Sequence, residues 1–292
     1  MKRITKAIFP IAGLGTRFLP ESKVVSKELI PLGAKPLLHY TVEEAILSGI
    51  EEIAFITRKN QKGALDYFKE DKELLQILKE NNKHREVLKM EELQEMAQKI
   101  KFSFYTQKKP MGVANALFQA KDFIFKEPCA ISFCDDIIKS EIPCIEQLQQ
   151  MFLTCGSPIL AIKRMPVDRL SSYGVVKVEK IANRFYKVKS ISEKPKIEEA
   201  PSDLAIVGRM ILTPDVFEYL SNSKDMMVKD RSISVALGEM AELGKAIYAY
   251  EIEGDWLECG DINSWYKSFL KMAMEDPDFG ESFKKYLKTL KL

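Results

Sequence analysis

The chain has 292 residues, of which 46% are hydrophobic and 29% charged, as expected of a globular protein with a sizeable core. Its 44 Lys and Arg nearly balance its 42 Asp and Glu, and the formal net charge of +2 argues against the broad basic face that nucleic-acid binding needs. No apolar stretch is long enough to span a membrane and the first residues lack the core of a signal peptide, so we expect a cytoplasmic protein.

Short apolar runs alternate with helical patterns through the first half of the chain. They predict buried strands at residues 7–12, 53–57, 102–106, 130–134 and 159–163, and helices near residues 36–48, 60–69, 112–125 and 142–154. Strands that alternate with helices predict an α/β protein with a Rossmann-like, mainly parallel sheet that helices cover on both faces. Ligands bind beyond the carboxyl ends of the strands in such a sheet.

The pattern changes along the rest of the chain. Residues 69–101 are charged, with Leu and Met at helical spacing, and predict a pair of solvated helices inserted between strands. After Tyr173, apolar runs joined by short turns predict a small α+β part on the far side of the sheet, and residues 263–292 predict helices. We expect one domain over residues 1–292, with a first part at residues 1–165, a second part at residues 166–262 and a helical tail at residues 263–292.

The first predicted strand leads into a loop with two glycines and an arginine, G-L-G-T-R at residues 13–17. It is not a dinucleotide fingerprint, because Phe18 stands where a third glycine is needed, and it lacks the spacing of a P-loop. Glycines let backbone N–H groups approach an anion, and Arg17 and Lys27 add charges suited to phosphate oxygens. Taken alone, the glycines also fit an ordinary strand-to-helix turn.

The whole stretch AGLGTRFLPESKVVSKELIPLGAKPLLHY, residues 12–40, is far more specific. It resembles the opening of the sugar-1-phosphate nucleotidyltransferases, and most of all the bacterial uridylyltransferases that act on glucose 1-phosphate. The resemblance implies the nucleotidyltransferase fold and catalytic roles for Arg17 and Lys27. It also implies nucleotide binding by Ala12, Gly13, Leu14, Gly15, Thr16 and Glu28.

A second stretch, TQKKPMGVANAL at residues 106–117, carries the glutamine and the glycine that read the pyrimidine base in this family. These roles fall on Gln107 and Gly112, and a carboxamide offers both a donor and an acceptor to the uracil edge. The family usually continues G-L-G-H-A, whereas this chain has G-V-A-N-A at residues 112–116, so the family's histidine is missing.

Two further stretches contain acidic residues that resemble the family's metal ligands. In AISFCDDII, residues 130–138, the resemblance assigns the Mg²⁺ ligand to Asp135, although adjacent acids at a strand end could also cap a helix. In DWLECGD, residues 255–261, Glu258 replaces the aspartate expected as second ligand, and we expect it to face the metal.

The resemblance implies that residues 1–165 mainly bind the nucleotide and residues 166–262 mainly bind the sugar. The family's sugar pocket matches three segments of the latter part. By resemblance, Gly174 contacts the hexose, Glu193 accepts its hydroxyls and Lys194 binds the sugar phosphate as a third catalytic residue. Val207 and Gly208, in the stretch AIVGRM, are expected to line the sugar.

The reaction that the resemblance implies converts UTP and glucose 1-phosphate to UDP-glucose and pyrophosphate, with Mg²⁺ as cofactor. The attacking phosphate is already ionised and needs no general base, in agreement with a chain that has only two histidines. A thymidylyltransferase, a uridylyltransferase for another hexose 1-phosphate, and a catalytically silent nucleotide-sugar-binding protein stay open as alternatives. Relatives of this kind also lead us to expect a homodimer or homotetramer.

Overall fold

The computed structural model describes residues 3–124, 127–222 and 232–290. Strands β1 to β13 in this part of the chain are Lys6–Pro10, Pro31–Leu32, Lys35–Pro36, Glu52–Arg58, Lys101–Gln107, Cys129–Ser132, Asp136–Lys139, Ile159–Arg164, Gly174–Ala182, Phe185–Glu193, Leu204–Leu212, Tyr248–Glu251 and Asp255–Glu258. Helices α1 to α11 are Leu37–Leu47, Gly63–Phe68, Lys72–Glu80, His84–Gln98, Val113–Gln119, Lys121–Ile124, Cys144–Cys155, Pro214–Asn222, Ile233–Glu242, Ile262–Met274 and Gly280–Leu287. The strands and helices predicted in the first half are present with ends shifted by a few residues, except that the helix predicted near residues 112–125 is divided into α5 and α6, and residue 125 lies outside the described residues.

Nine strands form one sheet in the order β5-β4-β1-β6-β11-β8-β12-β10-β9. Strands β5, β4, β1 and β6 run parallel, as their alternation with helices predicts. Strand β11 then enters antiparallel between β6 and β8, and β9 and β10 form an antiparallel pair at the far edge. Strands β9 to β12 therefore extend the first sheet, which is mixed, whereas β13 lies outside it.

Helices cover both faces of the sheet because its central strands are apolar on both sides. On β1, Ile8 packs with residues of α5, α8 and α9, whereas the next residue, Phe9, packs with residues of α1 and α7. Both side chains are fully buried, as alternation across a pleated strand between two helical layers requires. This burial on two faces holds the carboxyl ends of the parallel strands in place.

The charged helices α3 and α4 lie at the periphery, as their composition predicts. Helix α3 has no buried residue, and only Val87 and Leu93 are buried on α4. Over the residues that the structure describes, no helix combines the length and the apolar character needed to cross a membrane.

A two-stranded ladder beside the main sheet was not predicted from the sequence. Strand β7 begins at Asp136, the second aspartate of the acidic pair, and runs antiparallel to β13, so that Asp136 pairs with Glu258. The backbone N–H of Cys259 also donates to the carbonyl of Asp135, at 2.7 Å. This ladder joins two acidic segments that are more than a hundred residues apart in the sequence.

Candidate active site

The loop after β1 presents its backbone to solvent at the carboxyl edge of the parallel strands. Gly13, Leu14 and Thr16 are exposed, and Gly15 takes the left-handed conformation, with φ of 64°. A Cβ at Gly15 would lie 3.1 Å from the Cβ of Ser22 and 3.3 Å from that of Lys27, so both the angle and the space favour glycine. A loop of this shape can bring N–H groups close to an anion.

Lys27 and Asp135 meet at the base of this loop. The Lys27 ammonium donates to Asp135 Oδ2 at 2.6 Å, with both side chains about four-fifths buried (19% and 22% exposed). Burial opposes both charges, but their mutual attraction and hydrogen bond prevail, so the pKa of Lys27 is raised and the pKa of Asp135 is lowered. Lys27 therefore stays positive and Asp135 negative at neutral pH.

A cavity of about 320 Å³ opens beside this pair. Arg17, Asp135 and Glu258 line it, together with Asp136, Ser172, Tyr173, Ile206, Trp256, Gly260 and Asp261. The guanidinium of Arg17 donates to the carbonyl of Gly260 at 3.3 Å and is otherwise open to solvent. The cavity thus joins one cation from the glycine loop with carboxylates from β7, β13 and their flanking turns.

Asp136 holds neighbouring elements together. Its Oδ1 accepts from Trp256 Nε1 at 2.7 Å and its Oδ2 accepts from the backbone N–H of Gly208 at 3.1 Å. Burial, reinforced by the charge of Asp135, raises the pKa of Asp136 to about 7. Of the two adjacent aspartates, Asp135 is therefore the one that pairs with Lys27.

Glu258 lines the cavity and carries a partner that the sequence did not indicate. Arg169 donates to Glu258 Oε2 and also to the Tyr173 hydroxyl, the latter at 2.7 Å. Arg169 lies on the 3₁₀ helix Val167–Ser172, and nothing in the spacing of the sequence relates it to a strand 89 residues further on. The structure therefore adds Arg169 to the site residues.

The two base-reading candidates lie next to each other where β5 meets α5. Gln107, at the end of β5, is 7% exposed, and Gly112 precedes the first residue of α5, with φ of 93°. The Gln107 Nε2 donates to the carbonyl of Gly112 at 3.0 Å and to Asn115 Oδ1 at 3.1 Å. The donor that the sequence argument offered to uracil is therefore already engaged within the protein.

The candidates for sugar binding gather at the adjoining ends of β9 and β10. Gly174 pairs with Glu193 across the ladder, and Lys194 donates its backbone N–H to the carbonyl of Tyr173 at 2.9 Å. Glu193 and Lys194 are exposed, and Lys194 takes a left-handed conformation with φ of 47°. Tyr173, next to Gly174, lines the cavity that holds Asp135, so these residues adjoin it.

Strand β11 differs in detail from the expectation. The side chain of Val207 is fully buried in the core with α1 and α7, and Gly208 is buried against Asp136. The neighbouring Ile206 lines the cavity instead, because alternate residues of a strand face opposite sides. Val207 can therefore contact a ligand in the cavity only through its backbone. That Ile206 lines the cavity was not predicted from the sequence.

Two of the residues assigned to nucleotide binding lie beneath the loop. Ala12 is 3% exposed, and Glu28 is 1% exposed and accepts from Gln61 Nε2 at 2.5 Å. Gln61 also donates to the carbonyl of Ile11 at 3.0 Å, so Glu28 and Gln61 together brace the start of the glycine loop. Burial raises the pKa of Glu28, although Gln61 opposes this.

Arg209 supports the aspartate turn from below. It is fully buried, and its guanidinium donates to both carboxylate oxygens of Glu44, the nearest at 2.8 Å. It also donates to the carbonyls of Phe133 and Gly208, at 2.8 and 2.9 Å. Since Phe133 lies two residues before Asp135, this buried pair fixes the turn that presents Asp135 to the cavity.

The carboxylates fit a hard divalent cation that substrate oxygens help to hold. Asp135 and Glu258 bring oxygen donors to one cavity, and Mg²⁺ is usually bound by one or two carboxylates together with water and substrate phosphates. Within residues 3–124, 127–222 and 232–290, no group of three or more His, Cys, Asp or Glu could hold a metal ion without such help. Both carboxylates have cationic partners, Lys27 and Arg169, with which a metal ion would compete.

A mixed α/β sheet with a glycine loop and a polar cavity at its carboxyl edge is the architecture of a nucleotide-binding enzyme. The chain belongs to the nucleotidyl transferase family, whose sequence profile matches residues 6–275. It is 36% identical over 290 residues to the UTP–glucose-1-phosphate uridylyltransferase of Staphylococcus haemolyticus, a match that covers 99% of each chain.

Solved structures agree with this assignment. A UDP-glucose pyrophosphorylase complexed with UDP-glucose is 34% identical with a TM-score of 0.83, over 94% of this chain and 100% of that one. A UTP-bound enzyme of the same kind from Acinetobacter baumannii is 27% identical with a TM-score of 0.89, over 99% of this chain and 100% of that one. The nucleotidyltransferase fold expected from the sequence is confirmed.

Proposed function

We propose that this chain is a UTP–glucose-1-phosphate uridylyltransferase, which converts UTP and glucose 1-phosphate to UDP-glucose and pyrophosphate. The observation that carries the proposal is the cavity of about 320 Å³, which brings Arg17 of the glycine loop to Asp135 and Glu258 in a chain whose full-length relatives are named for this reaction. The sugar-side residues Gly174, Glu193 and Lys194 adjoin it through Tyr173.

In the proposed reaction, a phosphate oxygen of glucose 1-phosphate attacks the α-phosphorus of UTP. The new P–O bond forms as the bond from the α-phosphorus to the bridging oxygen breaks, and pyrophosphate leaves with that electron pair. Two anions must approach each other, so positioning and charge neutralisation supply the catalysis. No proton has to be removed from the attacking phosphate, which is ionised at neutral pH.

The residues of the chain have distinct parts in this step. Arg17 and Lys27 neutralise the triphosphate, and the raised pKa of Lys27 keeps its charge in place. The exposed ammonium of Lys194, held at the end of β10, binds the sugar phosphate. Backbone N–H groups at Gly13 and Gly15 add fixed dipoles that need no reorganisation during the reaction.

Asp135 and Glu258 would hold a divalent cation, for which we propose Mg²⁺. When bound, such an ion neutralises charge on the phosphate oxygens of both substrates. Asp135 keeps its negative charge at neutral pH because its pKa is lowered by Lys27 against the effect of burial. Glu258 would bind the cation only when its hydrogen bond with Arg169 is broken.

The experiment that tests the proposal is a matrix of substrates with pyrophosphate release as the readout. The purified chain is incubated with MgCl₂, with each of UTP, dTTP, CTP, ATP and GTP, and with glucose, galactose or mannose 1-phosphate. We expect the highest kcat/KM for UTP with glucose 1-phosphate, and little turnover in Asp135→Asn, which keeps the shape of the side chain but removes its charge. A preference for dTTP or for another hexose would replace the proposed substrate, and binding of UDP-glucose with no turnover would indicate a silent binding protein.

A further inference from the structure

The carboxamide of Gln107 is held by two acceptors that the protein itself provides. Its Nε2 lies 3.0 Å from the carbonyl oxygen of Gly112 and 3.1 Å from Oδ1 of Asn115. Gln107 ends β5, whereas Asn115 is the third residue of α5. The two acceptors therefore belong to a single strand–helix corner.

The chemistry of these groups sets the orientation of the carboxamide. A backbone carbonyl can only accept, so the atom of Gln107 that faces Gly112 must be the donor, Nε2. The amide nitrogen of Gln107 carries two protons, of which one is donated to the Gly112 carbonyl and the other to Asn115 Oδ1. The remaining oxygen of Gln107 has no hydrogen-bond partner among the described residues, and it is not among the fully buried unpaired atoms.

We propose that Asn115 is a positioning residue that makes Gln107 a pure acceptor and thereby sets the preference for uracil. This inference rests on the proposed function and deepens it. Uracil has an N–H at N3, which an acceptor can bind, whereas cytosine has a lone pair there that the same acceptor repels. Without Asn115, only the Gly112 carbonyl opposes a rotation of the carboxamide that would present Nε2 to the base.

An asparagine suits position 115 because its side chain supplies an acceptor, Oδ1, at 3.1 Å from Gln107 Nε2. Its backbone carbonyl, which any residue would supply, accepts from Gln119 Nε2 at 3.1 Å, further along α5. The contact with Gln107 therefore depends on the side chain at this position.

The test compares kcat/KM for UTP and for CTP, at saturating glucose 1-phosphate, in wild type and in variants of position 115. Asn115→Leu keeps the approximate shape without an acceptor, and we expect the ratio of UTP to CTP to fall about 5- to 30-fold, as for the loss of one hydrogen bond at a buried group. Asn115→Asp still accepts and is expected to keep the ratio near wild type. The KM for glucose 1-phosphate should not change in either variant.

Gln119→Leu is the matched control, because it removes a carboxamide from the same helix that does not contact Gln107. Its ratio should equal that of wild type, and circular dichroism should show all variants folded, with Asn115→Ala as the smaller change if the leucine is not tolerated. An unchanged ratio in the folded leucine or alanine variant, or an aspartate variant as impaired as the leucine one, would overturn the role of Asn115. A wild-type enzyme that does not use UTP would overturn the proposed function instead.

Discussion

Replacement of Arg169 by methionine should tighten the binding of Mg²⁺, because Arg169 competes with the cation for Glu258. Glu258 lines the cavity with its side chain 14% exposed, and the side chain of its partner Arg169 is 39% exposed. Exposed ion pairs contribute about 0.2–1 kcal/mol, and solvent around Arg169 argues against a larger value here. At about 1 kcal/mol, the pair weakens the binding of a cation at Glu258 about fivefold.

The affinity is measured by titrating MgCl₂ calorimetrically into protein saturated with UDP-glucose, so that no turnover intervenes. We expect the Kd for Mg²⁺ to fall about fivefold in Arg169→Met. In Glu258→Ala the Kd should rise, and the double variant should behave like Glu258→Ala. Glu258→Asp should lie between wild type and the alanine variant, since an aspartate is one methylene shorter.

Arg164→Met is the matched control, since Arg164 lines a neighbouring cavity together with Arg169 and Glu258 but pairs with Asp203 at 2.8 Å and with Glu251 at 3.2 Å instead of with Glu258. It should leave the Kd for Mg²⁺ unchanged. An Arg169→Met variant that binds Mg²⁺ no more tightly than wild type would contradict this competition. A Glu258→Ala variant with wild-type affinity for Mg²⁺ would contradict it as well. In the second case Asp135 and substrate oxygens alone would hold the cation.

Four further predictions concern the groups around this site. Lys27→Ala should lower kcat by about 10²–10³ because it removes a charge that offsets the triphosphate, and near-normal turnover in steady-state kinetics would exclude Lys27 from catalysis. Asp135→Asn should abolish Mg²⁺-dependent pyrophosphate release in a protein that circular dichroism shows to be folded, with a lower melting temperature because Lys27 loses its partner; retained activity would assign the cation elsewhere. Gly208→Ala should destabilise the fold by about 1–3 kcal/mol in urea unfolding, since the new Cβ would lie 2.2 Å from Asp136 Oδ2, and wild-type stability would show that this contact relaxes. Arg209→Met should lower the free energy of unfolding by about 3–5 kcal/mol in the same assay, because it leaves a buried carboxylate without its partner. A loss below about 1 kcal/mol, which is the value of an exposed ion pair, would contradict the importance of this buried pair.

Much of the fold follows from local patterns that the sequence displays directly. Apolar runs of strand length, alternating with amphipathic segments, predicted the parallel strands and their helices, because burial on two faces demands nearly continuous apolar residues. The glycine loop was also evident, since a left-handed residue such as Gly15 in a tight turn leaves a signature in the sequence itself.

The pairing of the later strands could not be obtained in this way. Strands β9 to β12 look alike whether they form a layer of their own or extend the first sheet, because the period of two is the same in both cases. They join the strands of the first half through β12, which pairs with β8, and through β11, which lies between β6 and β8. The same strand brings Ile206 to the cavity and buries Val207.

For the site, the sequence by itself determined which chemical groups are available. These are two cations in and after the glycine loop, a pair of aspartates after a buried strand, and a glutamine with a glycine five residues further on. The tertiary structure alone decided which of them meet. Lys27 contacts Asp135 across 108 residues and Arg169 contacts Glu258 across 89, and no local pattern encodes either pair. Hydrogen bonds and ion pairs depend on distances of a few ångströms, and those distances are set by how distant strands pack and not by spacing along the chain.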